Sequence, residues 1–222
     1  MPRPFQLVYL LVFSLVFFYS IAYSQAGAPA AVTFTLDFPT SQPEHYSIRV
    51  QSDGAAHYQS SGRLSADSDE TDSFDFDFPI AAETRQKILG LAAKAGYFQK
   101  DVDSHHKGLA FTGKKTLAYK DAQRSGESTY NYSTNPAVQE LTGLMQSLSA
   151  TLEFGHRLQY DRQYQKLALD EELKRMEEMA RNNQLVEVTA IQPILDQIIA
   201  DQSVINVTRA RAQRLLDRAG TH

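Results

Sequence analysis

The sequence predicts an α+β fold: an antiparallel sheet of five or six strands with two helices packed on one face, followed by an all-helical C-terminal extension. Three observations predict it. Short runs of alternating apolar and polar residues fill the first half, which is the period of half-buried strands. Two stretches with apolar residues at steps of three and four interrupt those runs, which is the period of helices. Beyond Gly155 the alternation does not return and only helical periodicity remains.

Residues 1–24 read as a signal peptide. Arg3 supplies the positive charge, Leu7 to Tyr19 is apolar but for Ser14, and Ala22 and Ser24 are the small residues before a cleavage after Ser24. The stretch from Phe5 to Tyr23 nears the ~20 residues that span a bilayer, so an uncleaved N-terminal membrane anchor is the alternative. No second long apolar run occurs, so no membrane span is expected after cleavage. The expected location is exported, periplasmic or extracellular.

The chain has no cysteine and a formal net charge of −4 over 222 residues. Absence of cysteine excludes disulfides, thiol nucleophiles and thiolate metal sites. A mildly acidic surface argues against nucleic acid as a partner, because phosphates demand basic patches. A mature chain of about 200 residues can bury roughly 70% of its unfolded surface without disulfides.

Residues 25–31 (QAGAPAA) form a small, flexible spacer, and residues 32–155 carry the α+β domain. Phe34, Leu36 and Phe38 alternate with Thr33, Thr35 and Asp37 in the first strand. Tyr46, Ile48 and Val50 repeat the pattern. A three-residue loop of Ser52, Asp53 and Gly54 sets Tyr58 opposite Ile48 and Ala56 opposite Val50, which keeps the apolar side chains on one face. Residues 61–72 read as a polar loop. Phe74, Phe76 and Phe78 then alternate with Ser73, Asp75 and Asp77 until Pro79.

Ile88, Leu91, Ala92 and Ala95 mark a helix near 82–95, with Gly96 just past its end. A second hairpin follows, Thr116–Lys120 with Glu127–Tyr132, in a register that sets Leu117 opposite Tyr132 and Tyr119 opposite Tyr130. Asn135 and Pro136 open a helix as cap and first residue. Val138, Leu141, Met145, Leu148 and Leu152 form its stripe, and Gly155 is expected to stop it.

Residues 156–222 form the helical extension. A solvated helix is expected over 158–182, with acid–base pairs Asp170–Lys174, Glu171–Arg175 and Glu177–Arg181 and a narrow apolar edge of Leu169, Leu173, Met176 and Ala180. Asn182 and Asn183 break it. Two shorter helices follow, about 186–200 and 203–219. Pro193 kinks or restarts the first, and Ile205, Ala212, Leu215 and Leu216 drive the second.

Residues 46–150 carry a resemblance. The run Tyr46-Ser47-Ile48-Arg49-Val50 with Asp53-Gly54 and Tyr58, the helix ending Ala95-Gly96-Tyr97-Phe98, and a strand pair followed by Asn135-Pro136-Ala137-Val138 and Leu141 resemble an uncharacterised family of small exported bacterial α+β domains. Members often carry a cysteine-containing segment where Pro39-Thr40-Ser41-Gln42 stands here, and His105-His106-Lys107 replaces an Asp-Thr-like pair. The resemblance implies an exported bacterial α+β domain and no activity.

No motif in the chain assigns a catalytic residue, a cofactor or a metal. The acid run Asp67, Asp69, Glu70, Asp72, Asp75 and Asp77 has carboxylates a calcium ion could use, but Asp72 stands where such a loop needs Gly and Phe78 where it needs Glu. His105 and His106, with Asp101 and Asp103 nearby, are adjacent rather than four apart, which suits an exposed polar loop better than zinc. Ser60-Ser61-Gly62 and Arg124-Ser125-Gly126 read as turns, not nucleophile elbows. Tyr119, Tyr130 and Tyr132 are weak candidates for a binding face, against a core role beneath the 136–153 helix. Arg209, Arg211, Arg214 and Arg218 make the last helix basic, which suits a solvated face or an acidic partner. The expected function is an exported, non-enzymatic interaction or binding module with an unknown protein partner. The alternatives are a small-ligand or metal-binding periplasmic protein and, behind it, a hydrolase.

Overall fold

The computed structural model describes residues 28–39, 41–63 and 70–220. The expected signal peptide, the first part of the spacer, and Asp67 and Asp69 of the acid run lie outside the described residues.

Six strands form one antiparallel sheet: β1 (Ala31–Asp37), β2 (His45–Gln51), β3 (Ala55–Arg63), β4 (Thr71–Pro79), β5 (Lys114–Lys120) and β6 (Ser125–Tyr130). Their order is β4-β3-β2-β1-β5-β6. The alternation in sequence becomes a two-faced sheet. Val32, Phe34, Leu36, Tyr46, Ile48, Val50 and Tyr58 are buried on one face, while Arg49 and Gln59 are exposed on the other. The first hairpin has the expected register, with Ile48 opposite Tyr58 and Val50 opposite Ala56. Gly54 takes the left-handed position with φ +100°. The polar segment expected as a loop over 61–72 is shorter, because Arg63 pairs with Thr71 and extends both strands.

The second hairpin corrects the expected register. Leu117 lies opposite Ser128, Tyr119 opposite Gly126 and Lys115 opposite Tyr130. A tight turn causes the shift: the Asp121 carboxylate accepts the backbone N–H groups of Gln123 and Arg124 at 2.7 and 2.6 Å, a local bond that Asp side chains favour in turns. Gly126 thereby enters the strand. A Cβ there would sit 2.2 Å from the Tyr97 carbonyl oxygen. Tyr119 meets the Tyr97 ring, centroids 4.6 Å apart, instead of pairing with Tyr130.

Five α-helices occur among the described residues: α1 (Ala82–Lys94), α2 (Pro136–Tyr164), α3 (Leu169–Arg181), α4 (Gln192–Ala200) and α5 (Asn206–Ala219). The α2 helix starts as expected, with the Asn135 side chain accepting the Ala137 N–H at 2.9 Å. It does not stop at Gly155 but runs 29 residues. Gly155 is a packing glycine: a Cβ there would come within 2.5 Å of Ile191 Cγ2. The expected helix over 158–182 therefore divides, its first turns belonging to α2 and its remainder to α3 after a turn at residues 165–168. A 3-10 turn (Val188–Ile191) precedes α4 where Pro193 restarts the helix. Ile205, expected on an apolar face, is exposed.

The apolar edge of α3 is buried as expected: Leu169, Leu173 and Met176 are fully covered. Its acids reach further than the expected i,i+4 pairs. Asp170 and Glu177 accept from Arg211 of α5 at 2.9 and 2.6 Å, and Glu177 also from Arg214 at 2.8 Å. A half-buried seam between helices strengthens such pairs relative to the exposed face.

One hydrophobic core joins the sheet face to all five helices, from Val32 and Phe34 through Leu148 and Leu152 to Leu195 and Leu215. A polar clasp adds to it. Glu187, held at φ 55°, accepts the Ala81 N–H at 3.1 Å and the Thr84 hydroxyl. It thus serves the N-terminus of α1, where unpaired N–H groups and the helix dipole favour a carboxylate.

Candidate functional site

The second half of α2 changes character along one face. Ser149, Glu153, His156 and Tyr160 follow one another at steps of four, three and four, and Arg157 and Asp161 continue from Glu153 at steps of four, so the six share one side of the helix. That side faces the ends of β3 and β4 and the start of α3. Two adjoining hollows open there, of about 450 and 490 Å³, and both are lined by Gln42, Pro43, Glu153 and Arg157.

Glu153 is the centre of a network. The Tyr58 hydroxyl and the Ser60 hydroxyl both donate to Glu153 Oε1 at 2.7 Å, and Tyr58 also meets Ser149 Oγ at 3.0 Å. The register of β3 makes this possible, since Tyr58 and Ser60 are two apart and point to the same face. Burial, then the Glu153 charge, pushes the Tyr58 hydroxyl far above its ordinary value, so it remains a donor. Tyr46 is pushed up as well, chiefly by burial.

One turn on, His156 Nε2 lies 2.8 Å from Asp72 Oδ2, and its ring stacks on Phe74 with centroids 4.3 Å apart. Across the cleft, Glu172 of α3 is buried and accepts from Arg157 and, at 3.2 Å, from Arg175. Burial, with the charge of Glu172, raises the Asp161 carboxyl above its ordinary value. The arrangement presents fixed acceptors and donors around a solvent-open hollow of the size that small molecules occupy.

Of the residues singled out from the sequence, Asp72 and Ser60-Ser61-Gly62 line this cleft and the others lie elsewhere. Tyr119 and Tyr130 are buried in the core, with hydroxyls on Asp121 and Thr142 respectively. Tyr130 is held up at about 12 by burial. Tyr132 is exposed beyond the end of β6. The three do not share an open face. His105 pairs with Asp101 at 2.7 Å, and that hydrogen bond raises the imidazole value. Of the acid run, Asp75 and Asp77 flank His57 on the wet sheet face at 3.7 and 2.8 Å, and Asp72 serves His156. Among the described residues no group of three or more His, Asp or Glu is arranged to hold a metal ion. Arg211 and Arg214 are committed to α3 acids, and Arg209 Nη2 donates to Asn206.

Sequence reasoning missed Glu153, His156, Arg157, Asp161 and Glu172. The signal was present: polar residues recur at helical spacing directly after the apolar stripe. The expected stop at Gly155 concealed it. In comparisons with known proteins, no family model matches this chain and no curated protein matches it.

Proposed function

We propose that this chain is an exported binding module that holds a small polar ligand in the cleft between β3, α2 and α3. One observation carries the reading: a Glu153 carboxylate fixed by Tyr58 and Ser60 lines both hollows of the cleft. Fixed polar groups around a concave site provide orientation and specificity without a reorganisation cost on binding. The signal-peptide pattern of residues 1–24 supports export to the periplasm or cell exterior. Among the described residues, no helix is long and apolar enough to cross a membrane.

The test is a thermal-unfolding screen of the full chain against amino acids, short peptides, sugars, nucleotides and polyamines. A ligand at 100 times its Kd stabilises by about 2.7 kcal/mol, a shift of several degrees in Tm. The expected result is a shift that Glu153→Gln removes. A panel without shifts, or a shift that Glu153→Gln leaves intact, overturns the reading.

A second reading, docking to a protein partner, is favoured by apolar exposure at one end of the molecule. Leu167 is 93% exposed and Tyr164 64%, beside the 201–203 turn that Lys166 binds at Asp201 and Ser203. Large exposed apolar groups in one place mark interaction surfaces. Site-specific crosslinking from residue 164 in the native envelope tests it, and a crosslinked adduct that persists in Leu167→Asp counts against it.

A further inference from the structure

We infer that the ligand of this cleft is an aliphatic zwitterion of the amino-acid or short-peptide class, with its ammonium at Asp161 and Glu153 and its carboxylate at Arg175. The inference rests on the binding reading above and narrows it to one chemistry.

The two hollows differ in charge. The first is lined by four carboxylates, Asp72, Glu153, Asp161 and Glu172, against two guanidiniums, Arg63 and Arg157. Arg63 is engaged by Glu44, Asp72 by His156, and Glu172 by Arg157. Glu153 receives its hydrogen bonds from neutral hydroxyls, and among the described residues no cation forms an ion pair with it. The Asp161 carboxyl is raised chiefly by burial and then by the charge of Glu172.

The second hollow has the opposite balance. Arg157 and Arg175 both line it, and both donate to the single carboxylate of Glu172. Glu153 is the one carboxylate that lines this hollow beside them, so its wall carries two guanidiniums to one carboxylate. The rest of that wall is largely apolar, with Leu36, Pro43, Phe154 and Met179. A molecule completes both compartments when it brings a cation to one, an anion to the other and aliphatic groups to the wall between. Partly desolvated charges gain most from such partners, because screening by water is reduced.

Leucyl-leucine is the probe. Its binding to the full chain is measured by calorimetry beside N-acetyl-leucyl-leucine, which lacks the ammonium, and leucyl-leucinamide, which lacks the carboxylate. The parent is expected to bind, and each capped form to bind about tenfold more weakly or worse. Asp161→Asn should weaken the parent and leave the N-acetyl form unchanged. Arg175→Gln should weaken the parent and leave the amide unchanged. Asp161→Asn removes a charge that burial disfavours, and its urea midpoint beside that of the parent chain checks that it folds. Capped forms that bind as well as the parent overturn the inference, as does a Glu153-dependent response to a different panel compound without one to leucyl-leucine; the binding reading survives both. No response to any compound removes both.

Discussion

Gly126 runs so close to the Tyr97–Gln99 segment that a methyl group would sit 2.2 Å from one backbone atom, 2.9 Å from a second and 3.0 Å from a third. None of these is a side chain that could swing away. Gly126→Ala should therefore destabilise by about 2–3 kcal/mol, at the upper end of overpacking effects. Gly143 is the control: it lies inside α2, where an added Cβ would meet no other part of the described chain within 4 Å. Gly143→Ala should stabilise by about 0.5–1 kcal/mol, because a helix interior prefers alanine. Urea unfolding of both variants checks the pair, and equal effects of one sign would refute the contact argument. The same strand shows where residue patterns stop informing. The expected and observed registers of β5 and β6 differ by four residues, and an even shift keeps every side chain on its face. Apolar alternation could not separate them. In the first hairpin a slip of one residue would have turned Tyr58 to the wet face, so alternation decided correctly. The deciding feature in the second was the Asp121 side chain, a local hydrogen bond without a period.

At the scale of elements, α3 and α5 meet through charge as well as through apolar contacts. Burial, the largest influence, pushes the Glu177 carboxyl up, but the hydrogen bonds and charges of Arg214 and Arg211 together outweigh it and hold it below its ordinary value. The folded value lies under the unfolded one. This contribution is therefore complete above the unfolded carboxylate range near about 4.3 and is lost as pH falls through the folded value. Urea unfolding between pH 7 and 3 should show the acid-side loss reduced in Glu177→Gln, and an unchanged slope would exclude this group as a source. The existence of both helices was legible in the sequence, as was the buried edge of α3. The partners of its acids were not, because i,i+4 spacing reports only neighbours on the same helix. Gly155 misled in the same way. Its residue type reads as a helix end, whereas Ile191, 36 positions later in the chain, is what makes a glycine necessary there. The candidate site lay just beyond that misread boundary.

For the molecule as a whole, α2 belongs to both halves of the expected division. Its first turns cover the sheet and its last turns pack with α3 and α4, within one continuous core. Such a core should unfold once. Far-UV circular dichroism and tyrosine fluorescence are expected to give coincident urea transitions with a single midpoint. Two separated transitions would show that residues 156–222 are an independent unit, which is the behaviour a detachable docking element requires. Overall architecture was readable from periodicity, since strands and helices each leave their own repeat. Integration of the extension was not, because it depends on contacts distant in sequence.

Glu187 meets Ala81 and Thr84 across separations of 106 and 103 residues. Closing so long a loop carries a large entropic cost, and contacts of that kind form late on the folding route. The clasp therefore governs how long the native state lasts more than how quickly it is reached. Without the Glu187 carboxylate the chain should fold at its usual rate and come apart sooner. If the chain is exported as proposed, among proteases and without ATP-driven repair, lifetime is the form of stability on which it depends.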